Sequence, residues 1–165
     1  MKIYETTIST PLGKLRLLAT ENGLRGIYYQ DHKNVPSLTT EPSQNHPILS
    51  ETERQLAEYF AGSRRDFDLS LDLQGTPFML QVWQALGQIS FGTSVTYGEL
   101  ARDLGNPKAS RAVGRANGLN PVSIVLPCHR VVGSNGKLTG YAGGLDNKEW
   151  LLKHEQSVSS LIGSC

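Results

Sequence analysis

Cys128 and His129 stand side by side in the run Pro127-Cys128-His129-Arg130-Val131-Val132, and a thiol next to an imidazole can do covalent chemistry. A cysteine attacks only as its thiolate, and an ordinary pKa near ~8.5 leaves little of it ionised at neutral pH unless a neighbour draws the proton. His129 is the candidate neighbour. Successive side chains of an extended strand point to opposite faces, so a tight turn after Pro127 is needed to bring the two together. On the residues alone, a buried inert cysteine beside a structural histidine explains the pair as well as a nucleophile and its base. The other cysteine, Cys165, is the last residue, so neither a disulfide framework nor metal-ligand spacing is present and both thiols are expected to be free and reduced.

The elements that position this pair are mainly helical. Gln74-Gly75 reads as a boundary. Thr76 then serves as N-cap, Pro77 opens the first turn, and Phe78, Val82, Trp83 and Leu86 share one face. Thr96-Tyr97-Gly98-Glu99 has the capping-box pattern and opens a short helix to Leu104; Gly105-Asn106-Pro107 turns, and Ala109–Asn117 makes a second helix. Two short helices across a tight turn suggest helix-turn-helix. Ala109, Ala112, Gly114 and Ala116 leave the second helix nearly flat between Arg111 and Arg115. Val122–Leu126 is a β-prone run before the cysteine, and a final helix from Asp146 carries a further capping-box pattern with Glu149.

Upstream, Glu5–Thr10, Lys14–Thr20 and Leu24–Gln30 read as strands, with Pro11-Leu12-Gly13 and Asn22-Gly23 as turns. Residues 31–47 read as loop, and Ser50-Glu51-Thr52-Glu53 as the start of a helix whose apolar stripe is Leu56, Tyr59 and Phe60. The expected fold is α+β: a small antiparallel-sheet domain over 1–73, and a mainly helical, winged-helix-like helix-turn-helix domain over 74–165. Among the 165 residues no apolar run is long enough to cross a bilayer and no signal-peptide pattern opens the chain, which predicts a cytoplasmic protein without a membrane partner. Net charge is only +1, but Leu104 to Leu145 holds no acid while Lys108, Arg111, Arg115, Arg130 and Lys137 fall inside it, a basic surface suited to phosphates.

With Asn120 eight residues before the cysteine, Gly140-Tyr141 after it, Lys148-Glu149-Trp150-Leu151-Leu152 beyond, and the Thr96–Ala101 and Asn106–Gly114 stretches upstream, the chain resembles the O6-alkylguanine-DNA alkyltransferases, the methylated-DNA–protein-cysteine methyltransferase family. The match is dense from about Gly75 to Glu155 and weaker before it. The resemblance implies that Cys128 accepts the alkyl group irreversibly, once per protein and without a cofactor. It implies a relay in which His129 draws the thiol proton through a water and Glu149 supports the imidazolium, with Asn120 tying the turn before the cysteine to the recognition helix. The partner implied is double-stranded DNA carrying alkylated guanine, entered from the minor groove with the nucleotide flipped out. Arg111 would fill the gap in the stack, while Tyr97 would crowd the target phosphate and donate a proton towards the leaving base. The smooth helix, with Lys108, Ala112, Gly114 and Arg115, would lie on the DNA. Tyr141, the Ala142 amide and the Val131 carbonyl would form the guanine pocket, which residues as small as Asn117 and Ser123 could open to groups larger than methyl. The protein would act as a monomer, with copies able to bind side by side, and O4-alkylthymine is a further conceivable substrate. Some relatives hold zinc in the first domain; here it has no Cys, and His32 and His46 sit in a loop-like stretch, so no metal is expected. Three rivals remain: an alkyltransferase-like damage-binding protein, which lacks the cysteine; a thiol-methylated transcriptional regulator, which carries further domains; and a Cys-His hydrolase, which turns over repeatedly.

Overall fold

In the computed structural model, which describes residues 1–163, three strands form an antiparallel meander: β1 (Tyr4–Thr10), β2 (Gly13–Ala19) and β3 (Leu24–Tyr29). Gly13 makes the first turn at φ 90°, where a side chain would be strained. A two-residue strand, β4 (Glu41–Pro42), joins parallel to β1 and gives the order β3-β2-β1-β4. Across the sheet lies α1 (Pro47–Phe60), burying Leu49, Thr52, Leu56 and Tyr59. This helix starts one turn earlier than the Ser50–Glu53 pattern predicts. His46 caps it, its Nδ1 accepting from the Ile48 amide at 3.2 Å, and Pro47 fits the first turn because no amide is needed there.

The second half begins as read. Thr76 caps α2 (Pro77–Leu86) by accepting from the Met79 amide at 3.2 Å, and Trp83 donates its indole N–H to the Ala116 carbonyl at 2.8 Å, pinning α2 to the later recognition helix. Next comes β5 (Val95–Thr96), then α3 (Tyr97–Asp103) with both halves of its Thr96/Glu99 capping box formed. A turn through Gly105, at φ 79°, leads into α4 (Ser110–Gly118), completing the helix-turn-helix.

The expected extended run Val122–Leu126 is instead a tight loop. Asn120 accepts from the Val122 amide at 3.0 Å and donates to the Leu126 carbonyl at 2.8 Å, while Ile124 takes a positive φ of 75°. Side-chain bonds thus replace the ladder a strand would need. A 3₁₀ turn, Cys128–Arg130, follows, and β6 (Val131–Val132) pairs parallel with β5 in the register Val95–Val131 and Thr96–Val132. The cap residue of α3 is therefore fixed beside the strand that leaves the cysteine. The chain closes with α5 (Leu145–Gly163), which buries Lys148, Leu151 and Glu155.

One apolar cluster runs from Leu15, Leu17 and Ile27 of the sheet through Leu56 and Tyr59 to Trp83, Leu86, Cys128 and Leu151. The two halves share a core, and the Ile27 amide donates to the Pro121 carbonyl at 2.8 Å across their junction. Among the described residues no helix is long and apolar enough to cross a membrane. Cys165 lies outside the described residues.

Candidate active site

The tight turn needed after Pro127 is present: Cys128 and His129 open the 3₁₀ turn, and both are buried. No hydrogen bond joins the two side chains directly among the described residues. His129 turns its Nε2 onto Oε2 of Glu155 at 2.7 Å, with both side chains sealed from solvent. The carboxylate behind the histidine is thus Glu155 and not Glu149. Glu149 lies on the solvent face of α5, paired with Lys153 at 2.9 Å, because six positions along an α-helix turn a side chain to a different face.

Glu155 is saturated with donors. Arg130 approaches with Nε to Oε1 at 2.8 Å and Nη2 to Oε2 at 3.0 Å, the Gly92 amide points to Oε1 at 3.4 Å, and the Tyr59 hydroxyl donates to Oε2 at 2.7 Å. Burial works against its charged form, yet His129 and Arg130 together outweigh that and hold the carboxyl well below its usual range. Arg130 also donates to the Ile89 carbonyl at 2.6 Å and is buried, so it belongs to this cluster and not to the basic surface read from the sequence. Since an ionised carboxylate only accepts, Nε2 of His129 carries the proton and Nδ1 keeps its lone pair. Nδ1 is buried and makes no hydrogen bond among the described residues. Burial pushes the pKa of His129 down against the pull of Glu155, so the imidazole is neutral at rest.

Cys128 is a thiol in the resting state as well. Burial pushes its pKa up, and Asn120, Lys148 and Tyr141 oppose the rise. Lys148 is fully buried and donates Nζ to the carbonyls of Val131 at 2.7 Å, Thr139 at 2.9 Å and Gly140 at 3.2 Å. Desolvation lowers its pKa to about 8. One ammonium thus gathers the strand after the cysteine and the loop across from it.

Of the predicted pocket residues, Tyr141 and Ala142 line one cavity, and Val131, buried in β6, is not part of its lining. This cavity, of about 190 Å³, is lined by Tyr97, Gly114, Asn117, Tyr141 and Ala142, with Lys33 and Asn34 reaching in from the first half of the chain. Asn117 donates to the Cys128 carbonyl at 3.4 Å and leaves Oδ1 buried and unpartnered. The Val131 carbonyl already holds Lys148, which leaves one lone pair for a ligand. Ser123 is buried in the loop before the cysteine. Tyr97 sits over Gly114, its hydroxyl donating to the Thr139 carbonyl at 3.3 Å. On the outer face of α4 and its turn, Lys108, Arg111, Ala112 and Arg115 are exposed. His32 and His46 each accept a backbone N–H, from Tyr29 and Ile48.

A helix-turn-helix joined to a buried Cys-His-Glu arrangement defines a DNA-directed protein with a thiol at its centre. The comparisons agree with that class. Residues 77–157 match the family model described as 6-O-methylguanine DNA methyltransferase, DNA binding domain, and residues 3–73 match the ribonuclease-like domain of the same methyltransferase. A Methanosarcina acetivorans protein named methylated-DNA–protein-cysteine methyltransferase is 47% identical over 155 residues, covering 94% of this chain and 99% of its own length. One of the same name from Salmonella typhimurium is 44% identical, covering 94% and 96%. The Mycobacterium tuberculosis OGT, solved in complex with DNA, superposes with a TM-score of 0.90 at 43% identity over 94% of each chain. The chain belongs to the 6-O-methylguanine DNA methyltransferase family.

Sequence reasoning missed Glu155, Lys148 and Tyr59. On α5, Lys148, Leu151 and Glu155 recur at the three-to-four spacing of a single face. A charged residue on that apolar stripe is the signal that separates Glu155 from Glu149.

Proposed function

We propose that the protein repairs alkylated DNA by direct reversal, moving the alkyl group of O6-alkylguanine onto Sγ of Cys128. The observation that carries the roles is the unpartnered Nδ1 of His129, whose Nε2 is fixed on an ionised carboxylate. The Cys128 proton passes to Nδ1 by way of a water. Glu155, kept ionised by Arg130, stabilises the imidazolium that results. The thiolate attacks the alkyl carbon, a C–S bond forms as the C–O6 bond breaks, and the electron pair leaves with guanine. Tyr97, which lines the cavity, turns its hydroxyl from the Thr139 carbonyl to donate a proton towards the departing base. The thioether has no simple reversal, so each molecule acts once, without a cofactor.

In stacked duplex the alkyl carbon is out of reach, so the nucleotide must leave the stack. The exposed, small-residue face of α4 suits approach through the minor groove, with Lys108, Arg115 and the Ala112-Gly114 surface against the backbone and Arg111 in the vacated gap. Tyr141 and Ala142, which line the cavity, receive the base together with the Val131 carbonyl, and Asn120 holds the loop that presents the cysteine. On this reading the protein is a cytoplasmic monomer built as a scaffold unit over 1–73 and an active unit over 74–165.

The test is intact-mass spectrometry after mixing with a duplex bearing one O6-methylguanine, followed by peptide mapping. One methyl group on Cys128, saturating at one per protein, is the expected result. Binding to that duplex without any mass gain would point to a damage-recognition protein instead.

A further inference from the structure

Tyr59 lies on α1, in the half of the chain that holds neither the cysteine nor the helix-turn-helix, yet its hydroxyl donates at 2.7 Å to the same Glu155 oxygen that meets His129 Nε2 at 2.7 Å. Its side chain is fully buried. Phe60, Phe67 and Phe91 pack around the ring, His154 meets it at 5.2 Å between centroids, and His154 Nε2 lies 2.8 Å from the Tyr59 carbonyl. These contacts fix the ring, and with it the direction of the hydroxyl.

We propose that Tyr59 is a positioning residue for alkyl transfer, acting through Glu155: its hydroxyl fixes Oε2 and takes a share of the carboxylate charge that His129 would otherwise draw on. The proposal rests on the alkyl-transfer reading given above. A carboxylate offers about four lone-pair sites, and here five donors from Arg130, Gly92, His129 and Tyr59 crowd onto them, three of them on Oε2. Arg130 grips one edge as a fork, and Tyr59 stops the Oε2 side from swinging away from the imidazole. Its second effect is on basicity. A donor on Oε2 drains charge from the oxygen facing Nε2–H, so the imidazolium formed during transfer is stabilised less than it would be by an unshared carboxylate.

The charged and titratable groups facing the relay are Arg130 and Lys148, which oppose a charge on His129, and Glu155, which favours it. Cys128, Tyr29 and Tyr141 lie on the pocket side, His154 lies beside Tyr59, and Arg65 stacks on the far face of the cluster over Phe91. Of these, only Glu155 receives a hydrogen bond from the Tyr59 hydroxyl, so removing that one oxygen leaves the rest in place.

The experiment measures the methyl-transfer rate from an O6-methylguanine duplex against pH for the wild-type chain and for Tyr59→Phe. The plateau rate is expected to fall about ten-fold or more, the rate equivalent of one hydrogen bond to a charged acceptor, and the acid limb set by His129 to move to higher pH. A lowered Tm with plateau and limb unchanged would mean that Tyr59 is only packing, and would overturn the proposal. Should the Phe variant not fold, 3,5-difluorotyrosine at position 59 keeps the ring and strengthens the donor. The acid limb should then move to lower pH, and a limb that stays put is equally fatal. A wild-type chain that takes up no methyl group would overturn the alkyl-transfer reading itself and this proposal with it.

Discussion

The hydroxyls of Tyr29 and Tyr141 lie 2.8 Å apart, buried, although 112 positions separate them. Tyr29 ends β3, and Tyr141 lies in the loop that lines the cavity of about 190 Å³. The rings meet edge to face with centroids 5.7 Å apart, and the Lys33 amide donates to the Ala142 carbonyl at 3.0 Å just beyond. The sheet of the first half is therefore a wall against which the pocket loop is set.

Gly143 tests this wall. A Cβ there would enter the van der Waals shell of the Tyr29 ring, and the ring cannot yield without breaking the hydroxyl pair. Gly143→Ala is expected to cost about 1–3 kcal/mol in denaturant unfolding, the range for overpacking a filled site. Combined with Tyr29→Ala, which opens the space, the alanine should cost less than it does alone. A double-mutant cycle with no coupling would show that the loop relaxes without the ring.

Glu155→Gln and Glu149→Gln separate the two glutamates by function. The first leaves Arg130 buried without its counter-charge and gives His129 a neutral amide. Transfer to Cys128 should fall roughly 10²-fold or more, and stability by about 3 kcal/mol. The second removes one exposed ion pair with Lys153, worth at most about 1 kcal/mol, and should leave the rate within about two-fold of wild type. Single-turnover rates on one duplex, read beside urea unfolding, decide it. Equal losses would mean that α5 acts as a whole and that the carboxylate has no specific role.

That confusion shows what the sequence carries. The turns of the meander, the Thr76 cap and the Thr96/Glu99 box are local, built from residues three apart or less, and they form as read. Cys128 and His129 are adjacent, so their pairing is visible on the chain. Glu155 is 26 positions from His129, and Tyr59 reaches it over 96. Those contacts exist only once α1 and α5 pack on one core, and no pattern within either helix encodes the other's angle. The failed strand at Val122–Leu126 has a related cause. Its β-prone side chains predict extension, but Asn120 captures the backbone groups of the loop first.

Acid should weaken the fold in two stages. Burial holds the folded pKa of His129 below its ordinary 6.5, so once pH falls below that value the unfolded chain binds a proton that the folded chain refuses. Glu155 is held below its ordinary 4.5, so its contribution is complete above that value and is lost as pH drops towards the folded pKa. Tm should be nearly flat from about pH 7 up to the Lys148 pKa of about 8, decline below 6.5 and decline more steeply below 4.5. His129→Gln should shrink the first stage to the part supplied by His32, whose pKa burial lowers to about 4, and move the onset of the second to higher pH, because His129 helps to hold Glu155 low. A wild-type Tm that does not move between 6.5 and 4.5 would mean that His129 takes up its proton as readily folded as unfolded.

Arg111 stands exposed in the first turn of α4 with no ion-pair partner among the described residues, so no described acid competes for its guanidinium. If its task is to fill the gap left by an extruded nucleotide, it matters only where there is a stack to fill. Arg111→Ala should slow transfer from duplex O6-methylguanine by about 10- to 100-fold, a fraction of the few kcal/mol that unstacking costs. Transfer from the free base needs no flipping and should change by less than about two-fold. The ratio of the two rates is the measurement, because a general loss of folding or of thiol reactivity lowers both and leaves the ratio intact. A ratio unchanged from wild type would remove Arg111 from the flipping step and reduce it to one more cation on a basic face.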